Sequence, residues 1–428
     1  MKNKYGLIGE KLGHSFSKVL HNEFGNNEYG IMEIPKDEVD AFMKEQSFEA
    51  INVTIPYKET VMKYCVVDET AKAIGSVNTI VKKDGVLYGY NTDYLGFEYM
   101  VNSAGISFKD KDIVILGSGG TSKTACFAAS RLGAKSITVV SRKASGYDTS
   151  VTTPVIFTSY EDMDAYKDAN ILINTTPVGM NPNNDEVPVD LELFKKLDGL
   201  VDVIYNPLTT KLASRAKAMN IKSTNGLSML IAQGWYAERL FFGKSIELDE
   251  EGKRSIERVY KKTRALKENI VFTGMPGCGK STQGKRIAEA LGREFIDTDI
   301  VFNEKFNMNA GDYIVEYGEK AFRDKESEVI EEVSKNTGVV IAIGGGSILR
   351  ESNVEALKAN GFIIYLSQEL EKLSQDGRPL SQNGGLEKLY NERKPIYERV
   401  SDVTVKVQES KEDTFNMIKE QIDENSGN

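Results

Sequence analysis

Cysteine is scarce in this sequence. Cys65, Cys126 and Cys278 are scattered over 428 residues and no two stand in a CxxC spacing. A dispersed odd set excludes a disulfide framework and offers no zinc pattern, so buried or incidental thiols in a reducing compartment are expected. No apolar run reaches the roughly 18 residues of a membrane span, and the first residues have no apolar core of a signal peptide. A cytoplasmic protein with no membrane partner is the expectation. Positive charge is not in excess either. With 54 Lys and Arg against 63 Asp and Glu, the net charge of −9 argues against a nucleic-acid surface, and small anionic ligands must meet locally basic sites. Internal repeats, low-complexity segments and Gly/Ser/Pro-rich tethers are all absent.

A chain of 428 residues is too long for one core, and two or three domains are expected. One stretch organises the rest. Ile270–Thr273 is an apolar, β-branched run feeding a glycine turn, Gly274-Met-Pro-Gly277-Cys278-Gly279-Lys280-Ser281, after which Thr282 to Leu291 reads as a helix. This G-x-x-x-x-G-K-S pattern between strand and helix is a phosphate-binding loop. Its backbone N–H groups, from Gly277 through Cys278 and Gly279 to Thr282, are placed to turn around phosphate oxygens at the positive end of the helix. Lys280 adds a point charge and Ser281 is placed to hold Mg2+, so ATP is the expected ligand. About 265 residues precede this loop and must form something else.

Those residues alternate short strands with helical stretches, which implies α/β layers. Three clusters before residue 94 carry chemistry: His14-Ser15-Phe16-Ser17, Asn52-Val-Thr54-Ile-Pro56-Tyr-Lys58, and Gly89-Tyr-Asn91-Thr-Asp93. Each alone has a bland explanation as a helix cap or a solvated lysine. Together with Ser76-Val77-Asn78-Thr79 they resemble the substrate half of shikimate dehydrogenases, in the order H-S-x-S, N-V-T-x-P-x-K, V-N-T and N-T-D. The resemblance implies that Ser15 and Ser17 bind a carboxylate, that Thr54, Asn78 and Asn91 hold ring hydroxyls, and that Lys58 and Asp93 form the catalytic pair. Lysine suits that task, because hydride addition to a ketone puts negative charge on oxygen. Lys18 replaces the proline usual after the second serine, and Tyr90 replaces a common aspartate.

Asp112–Leu116 reads as a buried strand followed by Gly117-Ser-Gly119-Gly120-Thr-Ser122, a dinucleotide-binding turn with Ser122 where Gly or Ala is the rule. The next strand, Ser136–Val140, ends in Ser141-Arg142-Lys143. No acid stands there to bind free ribose hydroxyls, and two cations suit a 2′-phosphate, so NADP(H) is expected over NAD. The segments Ile171–Met180, Asp202–Leu208 and Asn225–Gln233 extend the resemblance to about residue 245. It implies that Gly226 approaches the nicotinamide and that Tyr205 and Gln233 reach the substrate. Met229, Leu230 and Trp235 read as helix core.

Leu248 to Lys267 is expected to be an amphipathic helix closing the first enzyme. Beyond the phosphate loop come Asp297-Thr-Asp299 at a strand end, Phe322-Arg323, Gly344-Gly345-Gly346, Arg378-Pro379-Leu380 and Glu392-Arg393-Lys-Pro395-Ile-Tyr397. Acids two apart on a strand share a face, so both aspartates are expected to point into one cleft. In this order the motifs resemble shikimate kinase. The resemblance implies that Asp299 deprotonates the substrate hydroxyl and that Asp297 supports Mg2+ through water. Arg323 and Arg393 would clamp a carboxylate, Gly345 would present its N–H, and Arg378 on a lid would reach the transferring phosphate. The lid is short and has no arginine around Lys372 to Gln375.

The expected architecture is three α/β parts. Residues 1–94, completed by helices in about 226–266, would bind substrate. Residues 95–225 would form a Rossmann-like NADP domain, and 267–428 a P-loop kinase domain with a five-stranded parallel sheet. The expected activity is NADPH-dependent reduction of 3-dehydroshikimate followed by MgATP-dependent phosphorylation of shikimate, with small molecules as partners. Two alternatives stay open: a quinate/shikimate dehydrogenase using NAD fused to a related small-acid kinase, and a non-catalytic metabolite sensor.

Overall fold

The computed structural model describes residues 4–13, 15–144, 146–148, 150–373 and 385–426. His14 and Arg378 lie outside the described residues. The chain divides into two compact units: Met1–Val178, Val187–Tyr205 and Arg215–Tyr260 form the first, and Gly179–Glu186, Asn206–Ser214 and Lys261–Asn428 the second.

The first unit holds two sheets. One contains β1 (Tyr5–Gly9), β2 (Tyr29–Glu33), β3 (Ala50–Val53), β4 (Val66–Val67), β5 (Thr79–Lys83) and β6 (Val86–Tyr90), in the order β2-β1-β3-β5-β6-β4. It is mixed: β1 runs parallel to β2 and β3, whereas β5 is antiparallel to both β3 and β6. Helices α1 (Ser17–Glu23), α2 (Val39–Glu45), α3 (Glu69–Ile74) and α4 (Thr92–Ser103) belong with it. Every residue of β3 is buried, as its near-continuous apolar run requires of a central strand. The one exception in type, Asn52, is satisfied by neighbours described below.

The second sheet is wholly parallel, in the order β12-β11-β10-β7-β8-β9. Its strands are β7 (Asp112–Leu116), β8 (Ser136–Val140), β9 (Val155–Thr158), β10 (Ile171–Asn174), β11 (Gly199–Asp202) and β12 (Lys222–Thr224). The helices of this stretch are α5 (Gly120–Arg131), α6 (Lys211–Ala218), α7 (Leu227–Phe241) and α8 (Glu250–Lys267). From β7 the chain winds outward to β9, then returns to the other side of β7 at β10. That reversal opens a crevice at the carboxyl end of β7, the place where doubly wound sheets bind ligands. The expected closing helix is present as α8, with Ile256 and Val259 fully buried, and it crosses the division between the units after Tyr260. Its Gly252 is pressed on Trp235 of α7, where an added Cβ would stand 2.6 Å from the indole.

The second unit carries the expected five-stranded parallel sheet, in the order β14-β15-β13-β16-β17. Its strands are β13 (Asn269–Thr273), β14 (Phe295–Asp297), β15 (Val340–Ala342), β16 (Gly361–Ser367) and β17 (Val403–Lys406). Around it lie α9 (Lys280–Leu291), α10 (Thr298–Phe306), α11 (Ala310–Ser334), α12 (Glu351–Asn360), α13 (Gly385–Val400) and α14 (Lys411–Ser426). The central strands β13 and β16 bury Val271, Phe272, Ile363 and Ile364 completely, and the phosphate-loop sequence hangs from the end of β13. All three cysteines are free thiols, and no described helix is long and apolar enough to cross a membrane. Burial pushes the Cys65 thiol up to about 12 and Cys126 to about 11, so both are protonated at neutral pH.

Candidate functional sites

The first unit encloses a cavity of about 520 Å3 lined by Ser15, Ser17, Thr54, Lys58, Asn78, Asp93, Tyr205, Gly226 and Gln233. Nine residues singled out from sequence thus meet, though they come from both ends of the unit. Lys58 follows β3 and Asp93 stands in the first turn of α4, and the Lys58 Nζ donates to Asp93 Oδ2 at 2.6 Å. Both side chains are partly open to the cavity, at 27% and 16% exposure, so the ion pair is reachable by a ligand. Ser15 Oγ donates to Ser17 Oγ at 3.1 Å, which sets two hydroxyls side by side at the start of α1. Burial raises the Tyr205 phenol above its ordinary range.

Asn91 stands apart from these nine. It does not line the cavity; its Nδ2 donates to Ser76 O at 2.8 Å and its Oδ1 caps α4 by accepting from Tyr94 N at 3.1 Å. Backbone groups of a turn and a helix start have claimed the amide, as the bland N-cap explanation of the motif required. Asn78 does line the cavity, yet its Oδ1 accepts from Thr92 N at 2.7 Å. Met229 and Leu230 also line it rather than serving only as core, whereas Trp235 is buried. Asn52, Lys11 and Thr121 line the cavity as well and were not singled out. Asn52 stood in the N-V-T motif beside Thr54, and a polar residue in an otherwise apolar strand was the available signal.

Gly226 opens α7 at a point where nothing but glycine fits. A Cβ there would come 1.9 Å from Val203 O. The dinucleotide turn follows β7: Gly117 has φ of +101°, Gly119 precedes α5 and Gly120 begins it. Ser122 is fully buried, and its hydroxyl pairs with Tyr147 OH at 2.9 Å, which accounts for a residue larger than the usual glycine. At the end of β8, Ser141 is buried and its Oγ has no partner among the described residues, while Arg142 and Lys143 beside it are exposed. A hydroxyl followed by two exposed cations suits a phosphate monoester. Tyr160 lies close enough to Arg142 for the guanidinium to counter the rise that burial gives its phenol.

In the second unit, the loop after β13 has positive φ at Gly274 (+144°), Gly277 (+88°) and Gly279 (+96°). Lys280 caps the loop from within, donating to Gly274 O at 3.0 Å and Met275 O at 3.1 Å. The Cys278 amide is directed to Met275 O at 3.3 Å. Thr282 follows Ser281 in the first turn of α9. Ser281 Oγ donates to Asp297 Oδ2 at 2.6 Å, which pairs the two residues expected at a metal. Among the described residues no cluster of three or more His, Cys, Asp or Glu could hold an ion alone. A hydroxyl and one carboxylate beside a phosphate loop still fit Mg2+, which keeps several waters and takes phosphate oxygens as ligands.

Asp297 and Asp299 do not share a strand face. Asp297 ends β14 and caps α10 by accepting from Asp299 N at 3.1 Å, so Asp299 stands in the first helical turn. It still faces the glycine segment, since a Cβ on Gly344 would lie 3.3 Å from Asp299 Oδ1. The Arg323 guanidinium lies flat on Gly346, where a Cβ would fall 2.4 Å from Nη2, and it pairs with Glu326 at 2.7 Å and Glu319 at 3.4 Å. Glu326 was not singled out, although it also accepts from Ser347 Oγ at 2.7 Å. Arg393 is 5% exposed and has no carboxylate partner among the described residues. The Tyr397 hydroxyl donates to Gly345 O and fixes that peptide. Burial raises the Tyr397 phenol strongly, and Arg393 acts against the rise. A buried cation without a counter-charge is costly unless an anion arrives.

Comparison with known proteins covers both units. Residues 7–80 match the family described as the shikimate dehydrogenase substrate binding domain, and residues 276–423 match the shikimate kinase family. A shikimate dehydrogenase (NADP(+)) of Clostridium perfringens is 39% identical over 257 residues, which are 58% of this chain and 95% of the relative. A solved shikimate dehydrogenase of Peptoclostridium difficile superposes with a TM-score of 0.54 at 35% identity, covering 61% of this chain and 98% of its own. The chorismate mutase/shikimate 5-dehydrogenase fusion of Clostridium acetobutylicum gives 0.52 at 34% identity, with 60% and 95% coverage.

Proposed function

We propose that this chain, which belongs to the shikimate dehydrogenase family and carries a shikimate kinase domain behind it, performs two consecutive reactions on one ring acid. The first is reduction of 3-dehydroshikimate with NADPH, and the second is phosphorylation of the shikimate 3-hydroxyl with MgATP. The observation that carries the reading is the Lys58–Asp93 pair at 2.6 Å, set in one cavity with the paired hydroxyls of Ser15 and Ser17. In this reading residues 1–94 with helices from about 226–266 hold the substrate, 95–225 hold NADP(H), and 267–428 form the kinase.

In the reduction site Ser15 and Ser17 anchor the substrate carboxylate, while Thr54, Asn78, Tyr205 and Gln233 face the ring. NADPH, when bound beside Gly226, would supply the hydride for the ketone carbon. Lys58 then gives its proton to the oxygen on which charge accumulates, and Asp93 holds the ammonium in line. Gly226, having no side chain, leaves room for the cofactor's flat ring. Gly117, Gly119 and Gly120 turn the backbone toward its pyrophosphate, and Ser141, Arg142 and Lys143 take the 2′-phosphate.

In the kinase site Gly277, Cys278, Gly279 and Thr282 contribute backbone to the phosphate cradle. Lys280 leaves the loop carbonyls for the phosphate oxygens, and Ser281 with Asp297 holds Mg2+. Arg323 and Arg393 grip the substrate carboxylate, and the Gly345 peptide backs it. Asp299 takes the proton of the attacking hydroxyl, and Arg378 is assigned to the transferring phosphoryl group. A coupled assay tests the whole reading: the chain supplied with 3-dehydroshikimate, NADPH and MgATP is expected to form shikimate 3-phosphate, detected by mass. Binding of both ring acids without turnover in either step would replace this reading with that of a sensor. A higher kcat/KM for NADH than for NADPH would overturn the cofactor assignment.

A further inference from the structure

His21 lies four residues beyond Ser17 on α1, yet it is 1% exposed and turns away from solvent toward α7. Its Nδ1 pairs with Glu238 Oε1, itself buried on α7, and Asn26 Nδ2 donates to the same oxygen at 2.9 Å. A carboxylate there requires Nδ1 to carry the proton. The Asn52 side chain also lies within reach of the imidazole, and an added Cβ on Gly234 would stand 4.0 Å from Nε2. The imidazole is stacked on Tyr29 with ring centroids 3.7 Å apart and planes 7° from parallel. Tyr29 OH donates to Asn52 Oδ1 at 2.8 Å, and Asn52 Nδ2 reaches Thr79 Oγ1 at 3.1 Å. Asn52 lines the cavity. Hydrogen bonds on either side of one ring stack therefore connect Glu238 to the wall of the cavity.

The two helices joined by this pair carry opposite sides of that site. Ser17 opens α1, and Gln233 stands on α7 five residues before Glu238. Taking an imidazole and a carboxylate out of water is costly, and apolar side chains of similar volume would pack the same seam. What apolar packing would not supply is a fixed register, because a directional charge-assisted bond admits one relative position of the helices. We propose that the buried His21–Glu238 pair is a positioning device for the substrate carboxylate, setting the distance between the Ser15–Ser17 hydroxyls and the Gln233 amide. This rests on the reading of the cavity as the reduction site. Neither residue touches substrate.

The test uses the full chain and two readouts. Shikimate, the product of the reduction, gives its Kd at this site alone as a competitive inhibition constant against 3-dehydroshikimate, measured without ATP. Steady-state reduction gives KM for 3-dehydroshikimate and for NADPH separately. His21→Ala and Glu238→Ala are each expected to raise the shikimate Kd and the 3-dehydroshikimate KM about tenfold, a shift of about 1.4 kcal/mol. The NADPH KM and the phosphorylation rate stay within about twofold. The double variant is no worse than either single one, and His21→Asn, which keeps an N–H toward Glu238, recovers most of the loss. Should the alanine variants fail to fold, His21→Asn and Glu238→Gln are compared in their place, with Glu238→Gln expected to raise the same KM alone. Equal losses toward 3-dehydroshikimate and NADPH, additive singles, or unchanged binding in every variant would overturn the proposal while wild-type turnover stands. A wild-type chain that neither binds shikimate nor reduces its ketone would remove both the parent reading and this one.

Discussion

Arg142 and Lys143 are exposed cations beside an orphan hydroxyl, and their worth should show only with a phosphorylated ribose. A hydrogen bond to a charged group contributes roughly 1.5–3 kcal/mol. Arg142→Ala is therefore expected to lower kcat/KM for NADPH by about tenfold or more and leave the NADH value unchanged; equal losses with both would deny the contact. A second residue answers to pH instead. Lys267 closes α8 at 2% exposure, and burial pushes its ammonium down to about 8. The unfolded chain keeps this lysine charged up to its ordinary pKa, so the unfolded state binds the extra proton above pH 8 and stability rises with pH between the two values. Below pH 8 both states carry the proton and the folded protein bears the full cost of burying it. The Tm of the wild type relative to that of Lys267→Met is expected to rise from pH 6.5 to pH 9.5, measured by scanning calorimetry; a pH-independent difference would deny the shift. At this scale the sequence was most legible where chemistry dictates type. Lys58 meets Asp93 and Ser281 meets Asp297, residues that their motifs had already set apart by type. Asn91 was less legible, because an amide serves a helix cap and a ligand equally well, and the fold gives it the cap of α4.

Elements were legible where pattern and burial agree. The strands Asp112–Leu116 and Ser136–Val140 fall where apolar runs placed them, since strands buried in such sheets have little freedom in composition. The exchange of strand for helix after Asp297 was less legible. Asp-Thr-Asp reads equally as a strand end or as a cap with its first turn, and the hydrogen bond from Asp299 N to Asp297 Oδ1 decides for the cap. Nor does sequence announce pairs joined across more than two hundred residues, such as His21 with Glu238. The entry to α7 gives a prediction at this scale. Gly226 donates its N–H to Ile204 O at 3.0 Å while a Cβ would overlap Val203 O at 1.9 Å. In Gly226→Ala the start of α7 must retreat from the loop after β11, carrying Met229 and Gln233 out of the cavity. Reduction is expected to fall at least about a hundredfold, with phosphorylation retained as the internal control. Near-normal reduction in this variant would mean that the helix start yields without disturbing the site.

At the scale of the whole molecule, the two units hold chemically different sets of groups. Lys58 and Asp93 belong to one, Lys280 and Asp299 to the other, and no residue is assigned to both. Independent sites linked by a freely diffusing product make a specific demand on mixed variants. Lys58→Ala removes the proton donor and is expected to lower reduction by roughly two to four orders of magnitude, leaving phosphorylation of added shikimate near wild type. Asp299→Asn should do the reverse. Neither variant alone then converts 3-dehydroshikimate to shikimate 3-phosphate at a useful rate. An equimolar mixture should restore conversion after a lag, because shikimate released by one chain must accumulate toward the KM of the other. Adding excess Lys58→Ala chain shortens the lag in proportion. If the mixture stayed inactive while each half-reaction ran normally in its own assay, transfer within a single chain would have to replace free diffusion as the link between the two steps.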